Sequence, residues 1–234
     1  MHVFAIGGGD IATGETSAID AEVIRATGKD RPNVLFVPTA SGDSHDYVQS
    51  FRAQFGNRLG AQTRELLLWS TSDFAEALEW ADAVYVGGGH TVRMVARWRE
   101  IGFDRALRTR ADQGLVLSGL SAGANCWFHE FNTDSPMLDG APEGTTAMEL
   151  GLGWLDYVVC PHYTAEPYRR PAFEGHMASR LRTGIALDDG AAIEVVDKTF
   201  RILSSLPEAG ATLYRPGSVE RLEAFTEFRD LSTL

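Results

Sequence analysis

The chain has 234 residues, 44% of them hydrophobic, and its 32 acidic against 21 basic side chains give a net charge of -11. That length and apolar share predict one large core in a single α/β domain over 1–234, and the acidic balance argues against nucleic acid or an anionic membrane as a partner, since it repels phosphate. No apolar run nears the roughly 18 residues of a membrane span, no basic leader precedes the first strand-like segment, and Cys126 and Cys160 supply neither a disulfide framework nor a zinc-finger pair, so a cytoplasmic protein with reduced thiols is expected.

Short apolar runs alternate with longer segments of helical period, the pattern of βαβ units around a mostly parallel sheet. Strands are expected at His2–Ile6, Asn33–Val37, Arg64–Trp69, Ala83–Val86, Leu115–Ser118, Tyr157–Cys160 and Gly184–Leu187. Helices are expected at Ser17–Ala26 with Gly28 as the C-terminal cap, at Asp46–Leu59, and at Ser72–Trp80 with Ser72 as the N-cap. In the second of these, Tyr47, Phe51 and Phe55 recur every four residues and share one face. Beyond Leu187, Ala191–Val196, Arg201–Ser204 and Ala211–Arg215 read as short antiparallel additions at a sheet edge. The fold class is therefore a doubly wound, mostly parallel α/β sheet flanked by helices, with no internal repeat and no linker that divides it.

The sharpest feature is Gly119-Leu120-Ser121-Ala122-Gly123, set between the strand Leu115–Ser118 and a helical candidate over Ala122–His129. A nucleophilic serine at such a turn needs small neighbours, because the chain reverses sharply and packs closely, and the turn exposes its hydroxyl at the carboxyl edge of the sheet. The hydroxyl also needs a base. His162 is the best placed of the six histidines, since it follows the strand Tyr157–Cys160 at the same edge. Gly87-Gly88-Gly89 end another strand. Their amides, with that of Ala122, fit an oxyanion hole, while a tight turn accounts for the glycines equally well; His90, which follows them, is placed to line the pocket.

These residues resemble the peptidase E family of serine peptidases, aspartyl dipeptidases with a fold similar to class I glutamine amidotransferases. The resemblance is carried by the Gly-Gly-Gly-Asp opening, Val37-Pro38-Thr39-Ala40-Ser41-Gly42, Gly87-Gly88-Gly89-His90-Thr91, Ser121-Ala122-Gly123-Ala124-Asn125 and Cys160-Pro161-His162-Tyr163. It implies Ser121 as nucleophile and His162 as general base, in agreement with the reading from the residues. For the third member it offers Asp189, where the family often has the Glu of Pro-Glu-Gly, and alternatively Asp134. Asp189 is favoured, because a strand end after His162 reaches that histidine on one edge. The chain departs from the family at His90 for Asn, Asp188 for Pro and Asp189 for Glu.

The resulting expectation is a peptidase E-like serine hydrolase of small peptides that uses neither metal nor cofactor, with a small peptide as its partner and a homodimer as the assembly allowed for. Weak or absent cleavage of dipeptides with an N-terminal aspartate is expected. No cationic pocket can be assigned among Arg93, Arg169 and Arg170, and added carboxylates near the edge repel an acidic side chain. Four rival readings stand beside it. Gly7-Gly8-Gly9-Asp10-Ile11-Ala12 fits a dinucleotide fingerprint, but the second strand lacks the acidic end that would hold a ribose. His162 and Glu166 stand four apart like metal ligands without a third. A catalytically silent binding protein and a cyanophycinase-like hydrolase complete the set.

Overall fold

Strands buried on both faces belong in the middle of a parallel sheet, and nearly every residue of β1 (His2–Ile6), β2 (Asn33–Val37), β4 (Ala83–Val86) and β5 (Val116–Leu120) is buried in the computed structural model, which describes residues 1–234. Together with β3 (Gln62–Glu65) they form the parallel part of an eight-stranded sheet ordered β14-β11-β10-β1-β5-β4-β2-β3. The antiparallel additions expected from the sequence, β10 (Ala191–Val196) and β11 (Thr199–Ser204), extend it beyond β1 and are followed by β14 (Arg229–Asp230). The α/β fold with a mostly parallel sheet is thus present, but the strands divide between two sheets.

The second sheet has six strands ordered β13-β12-β9-β8-β6-β7. It takes in β8 (Leu155–Cys160), β9 (Gly184–Leu187) and β12 (Ala211–Arg215), together with β6 (Phe128–Thr133), β7 (Ala147–Leu150) and β13 (Ser218–Leu222), for which the sequence reading has no strand.

Alternation along the central strands separates two apolar faces. Phe4, Ile6, Phe36 and Tyr85 join Ile19 and Val23 of α1 (Ser17–Ala26) and Val48 and Phe51 of α2 (His45–Phe51) on one face. There Phe36, Phe51 and Phe55 stack at centroid distances of 4.5 and 4.7 Å. Val3, Ala5, Leu35 and Val84 face the other way, toward α4 (Thr91–Ile101), α5 (Phe103–Asp112) and the inner side of the second sheet. Fully buried Trp98, Trp127, Phe128 and Phe131 fill the space between, each such side chain contributing about 1.5–3 kcal/mol by leaving water. The outer face of the second sheet is covered by Phe173 and Met177 of α7 (Arg169–Met177).

Several boundaries differ from the expectation for identifiable reasons. β3 stops at Glu65 because Leu66 and Leu68 turn into the core and the Trp69 indole donates to Thr39 O at 2.8 Å. The helix expected from Ser72 is only α3 (Ala75–Trp80); Thr71 Oγ1 accepts from Asp73 N in a local turn, and Ser72 caps nothing. The segment expected as one helix over Asp46–Leu59 loosens after Phe51 into a π-helical stretch, Arg52–Arg58. The helix after Ser121 is a single turn, α6 (Ala122–Asn125), because Phe128 onward pairs with β8, which puts its aromatic side chains between the sheets. No helix is long and apolar enough to cross a membrane. Both cysteines are buried free thiols, and burial pushes the Cys160 thiol up to about 12.

Candidate active site

Ser121 follows β5 directly, with φ 54° and ψ -106°, a positive-φ conformation costly for a residue with a Cβ and held here by its surroundings. Its amide donates to Ile6 O at 2.9 Å, and its carbonyl accepts from the amides of Ala124 and Asn125. The flanking glycines are required by space: a Cβ on Gly119 would lie 2.2 Å from Gly123 O, and one on Gly123 2.2 Å from Val86 O. The one-turn α6 therefore presses against β5 and β4, leaving the serine hydroxyl at the carboxyl edge.

His162 follows β8, in the second sheet, and is drawn across to the first by one backbone bond, His162 N to Gly7 O at 3.0 Å, while Tyr163 N to Leu187 O at 3.1 Å keeps the next residue on β9 of its own sheet. It too has positive φ, 52°. Its Nε2 lies 2.8 Å from Ser121 Oγ, and its Nδ1 lies 2.7 Å from Asp189 Oδ1. With Nδ1–H donated to the carboxylate, Nε2 is left as the acceptor that a serine proton requires. All three side chains are partly buried, enough to exclude bulk water on one side while leaving an approach from the other. Asp188 plays a different part, accepting from Thr164 Oγ1 and Gly210 N, each at 3.0 Å, and from Arg221, which ties β9 to β12 and β13.

Of the two acids considered, only Asp189 touches the histidine. Asp134 lies instead 3.2 Å from Arg169 Nη2, and Glu166 lies 2.5 Å from Arg169 Nε. Burial opposes the Arg169 charge, but these carboxylates outweigh it and hold the guanidinium above its usual range. The metal reading of His162 with Glu166 fails on the same contacts, since both imidazole nitrogens and the Glu166 carboxylate are engaged elsewhere.

The three proposed oxyanion donors are not equivalent. Gly88 N donates to the Tyr47 hydroxyl at 3.1 Å, whereas the amides of Gly89 and Ala122 have no acceptor in the protein. Gly89 needs its missing side chain: its φ is +132°, and a Cβ would meet Ala40 O at 2.3 Å. His90 caps α4 through Nδ1, with Nε2 3.2 Å from Asp139, and lines a cavity beside Gly89 as the sequence suggested. Tyr47, whose hydroxyl burial pushes up to about 12, escaped the sequence reading as a site neighbour because its spacing marks only a core face.

The glycine-rich opening also finds its place here. A Cβ on Gly8 would overlap both His162 and Asp189, so Gly8 forms the floor under the His–Asp pair and the run is not a dinucleotide loop.

Comparison with known proteins agrees with this arrangement of elements. A model of peptidase family S51 matches residues 3–203. The chain is 36% identical over 219 residues to the uncharacterized peptidase YgaJ of Bacillus subtilis (strain 168), covering 92% of this chain and 91% of that one. It is 31% identical to peptidase E of Salmonella typhi over 134 residues, 53% of this chain and 56% of the relative. The crystal structure of a peptidase from an acI-B1 Actinobacterium superposes with a TM-score of 0.76 over 98% of this chain and 96% of that one, at 18% identity, a likeness of fold.

Proposed function

The chain belongs to peptidase family S51 and is a peptidase, and on that premise we propose that it hydrolyses small peptides as a serine enzyme through Ser121, His162 and Asp189. The observation that carries this reading is the continuous relay from Asp189 Oδ1 through both imidazole nitrogens to Ser121 Oγ, at 2.7 and 2.8 Å. Ser121 Oγ attacks the substrate carbonyl carbon while His162 Nε2 takes the hydroxyl proton. The carbonyl oxygen, now an anion, is directed at the unpartnered amides of Gly89 and Ala122. As the C–N bond breaks, His162 returns the proton to the leaving amine, giving an acyl-Ser121. Water, deprotonated by His162, then displaces Ser121 Oγ, and the serine recovers its proton. Asp189 holds the imidazole in the required tautomer and stabilises its charged form.

Buried, unpaired Cys126 and Cys160 are in keeping with a cytoplasmic site of action. The test is to react the pure protein with a fluorophosphonate, locate the adduct by mass spectrometry, and assay dipeptide hydrolysis. The adduct is expected on Ser121, and Ser121→Ala and His162→Ala are each expected to lose turnover by about 10⁴ or more while remaining folded. Most of the activity surviving in Ser121→Ala ends the serine-peptidase reading.

A further inference from the structure

A cavity of about 450 Å³ opens beside Gly89, and its walls include Thr39, Ser41, Trp69, His90, Arg93 and Leu138. Trp69 and Leu138 are two of the few large hydrophobic side chains that the protein leaves exposed, at 45% and 55%, and both line this one space. The indole is fixed there: its Nε1 donates to Thr39 O at 2.8 Å, its backbone amide donates to Asp43 Oδ2 at 2.8 Å, and the Arg97 guanidinium lies 5.9 Å from its ring centroid. An apolar surface held open in this way, in a concave site that the candidate oxyanion donor Gly89 helps to line, is the mark of a ligand-binding pocket. The charged groups around it satisfy one another. Arg93 pairs with Asp139, whose other oxygen lies 3.2 Å from His90 Nε2, so the one guanidinium at the rim is already balanced by a carboxylate.

The sheet order fixes which part of a peptide reaches this space. β1, β5, β4 and β2 are consecutive neighbours. His162 is anchored at the end of β1 through Gly7 O, Ser121 follows β5, Gly89 follows β4, and the turn at Thr39–Gly42 follows β2. The cavity and His162 therefore lie on opposite sides of Ser121. A leaving amine must face His162 to receive its proton, and the carbonyl oxygen must face the amides of Gly89 and Ala122. The acyl substituent is then directed away from His162, toward the cavity. We propose that the Trp69–Leu138 cavity is the acyl-side specificity subsite and takes a bulky apolar side chain, aromatic by preference, from the N-terminal residue of a small peptide. This inference rests on the assignment of Ser121 and His162 above.

The test measures calorimetric binding of Phe-Ala, Ala-Phe, Ala-Ala and Asp-Ala to the full-length Ser121→Ala protein, in which turnover does not intervene. Phe-Ala is expected to bind about tenfold or more tightly than each of the other three, the advantage of burying one aromatic side chain. Adding Trp69→Ala or Leu138→Ala is expected to cut that advantage at least about threefold while leaving Ala-Ala little changed. Leu138 is more than half exposed, so its variant serves even where Trp69→Ala does not fold. Equal binding of Phe-Ala and Ala-Ala, tighter binding of Ala-Phe or Asp-Ala, an advantage undiminished in the folded variants, or no binding at all overturns the proposal. Fluorophosphonate labelling of the wild-type protein separates the two failures. Ser121 labelled with flat binding sinks the subsite alone, whereas a retained Phe-Ala preference with no labelling and no turnover sinks the serine-peptidase reading and leaves the cavity its occupant.

Discussion

The backbone of Gly8 lies against the Asp189–His162 pair so closely that a Cβ there would stand 1.9 Å from Asp189 Oδ1 and 2.4 Å from His162 Nδ1. No rotamer of an added side chain removes a Cβ overlap, so Gly8→Ala must push the carboxylate and the imidazole off the line that joins them to Ser121. A displacement on the order of 1 Å at a relay of this kind costs about 10²-fold in rate. The expected result for Gly8→Ala is a fall in kcat/KM of about that size, with slower fluorophosphonate labelling and a cooperative unfolding transition retained. Unchanged kcat/KM and labelling would mean that the pair has room to move without loss.

Asp189 and Asp134 separate by readout. Asp189→Asn leaves the imidazole free to take the wrong tautomer and is expected to lower kcat by about 10³ to 10⁴. Asp134→Asn removes one of two carboxylates from Arg169, which is 1% exposed, and is expected to lower stability by about 1–3 kcal/mol while changing kcat far less. Kinetics and denaturant titration of both variants check the pair of outcomes, and the reverse ranking in kcat would transfer the relay to Asp134.

How much of this was legible in the sequence follows from what each feature depends on. The central strands could be read because β1, β2, β4 and β5 bury both faces, so their apolar runs are nearly unbroken. β6 could not, because Phe128–Thr133 mixes His129, Glu130 and Asn132 with aromatics, and its pairing is decided by Leu155–Cys160 more than twenty residues away. α4 does carry a signal, since Thr91, Met94, Val95 and Trp98 are buried at helical spacing, but Arg93, Arg97 and Arg99 interleave them and break the apolar run. At the site, Ser121 and His162 were readable from strand-to-turn context, and the favoured acid lies within reach of His162. Gly88's engagement with Tyr47 was not readable, since which amide a hydroxyl meets is a property of packing between α2 and the β4 turn.

A buried carboxyl sets a pH dependence of stability that is separate from catalysis. Asp20 is fully buried on α1, with Oδ2 accepting from Thr16 Oγ1 and Gln54 Nε2 and with Oδ1 unpartnered, and burial raises its pKa to about 7 against hydrogen bonds that lower it. Its unfolded value is 3.8. Between these values the folded state binds the proton more tightly than the unfolded state, so this group's contribution to stability is full below about pH 4, falls as pH rises, and is gone above about pH 7. The loss is at most about 4 kcal/mol. Asp20→Asn keeps an acceptor for Thr16 and Gln54 without a charge, and is expected to be more stable than wild type at pH 8 and to flatten the profile between pH 4 and 7. Urea titrations across that range check it, and an Asp20→Asn profile parallel to wild type would show that Asp20 is not the group responsible.

The last prediction concerns acidic substrates: kcat/KM for Asp-Leu is expected to be at least about tenfold below that for Leu-Leu. Selecting a substrate carboxylate in a half-buried site takes a cation whose own partners are not already carboxylates, because a carboxylate stripped of water without such a partner loses several kcal/mol of hydration. The arginines that the sequence offers for this role are all engaged. Arg169 is held by Asp134 and Glu166, Arg170 lies 2.9 Å from Glu174, and Arg93 is paired with Asp139. Asp188, where the family often has Pro, adds a carboxylate next to the relay, and Arg221 meets it from outside the site. A substrate carboxylate would therefore meet guanidinium groups whose charge a protein carboxylate already balances, and at Arg93 and Arg170 these are mostly exposed, so that little net attraction is gained. Leu-Leu needs no such attraction. Asp-Leu, Leu-Leu and an isoaspartyl dipeptide compared under identical conditions, with Ser121→Ala as the blank, give the answer directly; a Ser121-dependent preference for Asp-Leu would show that one of these guanidinium groups binds the substrate's carboxylate despite its protein partner.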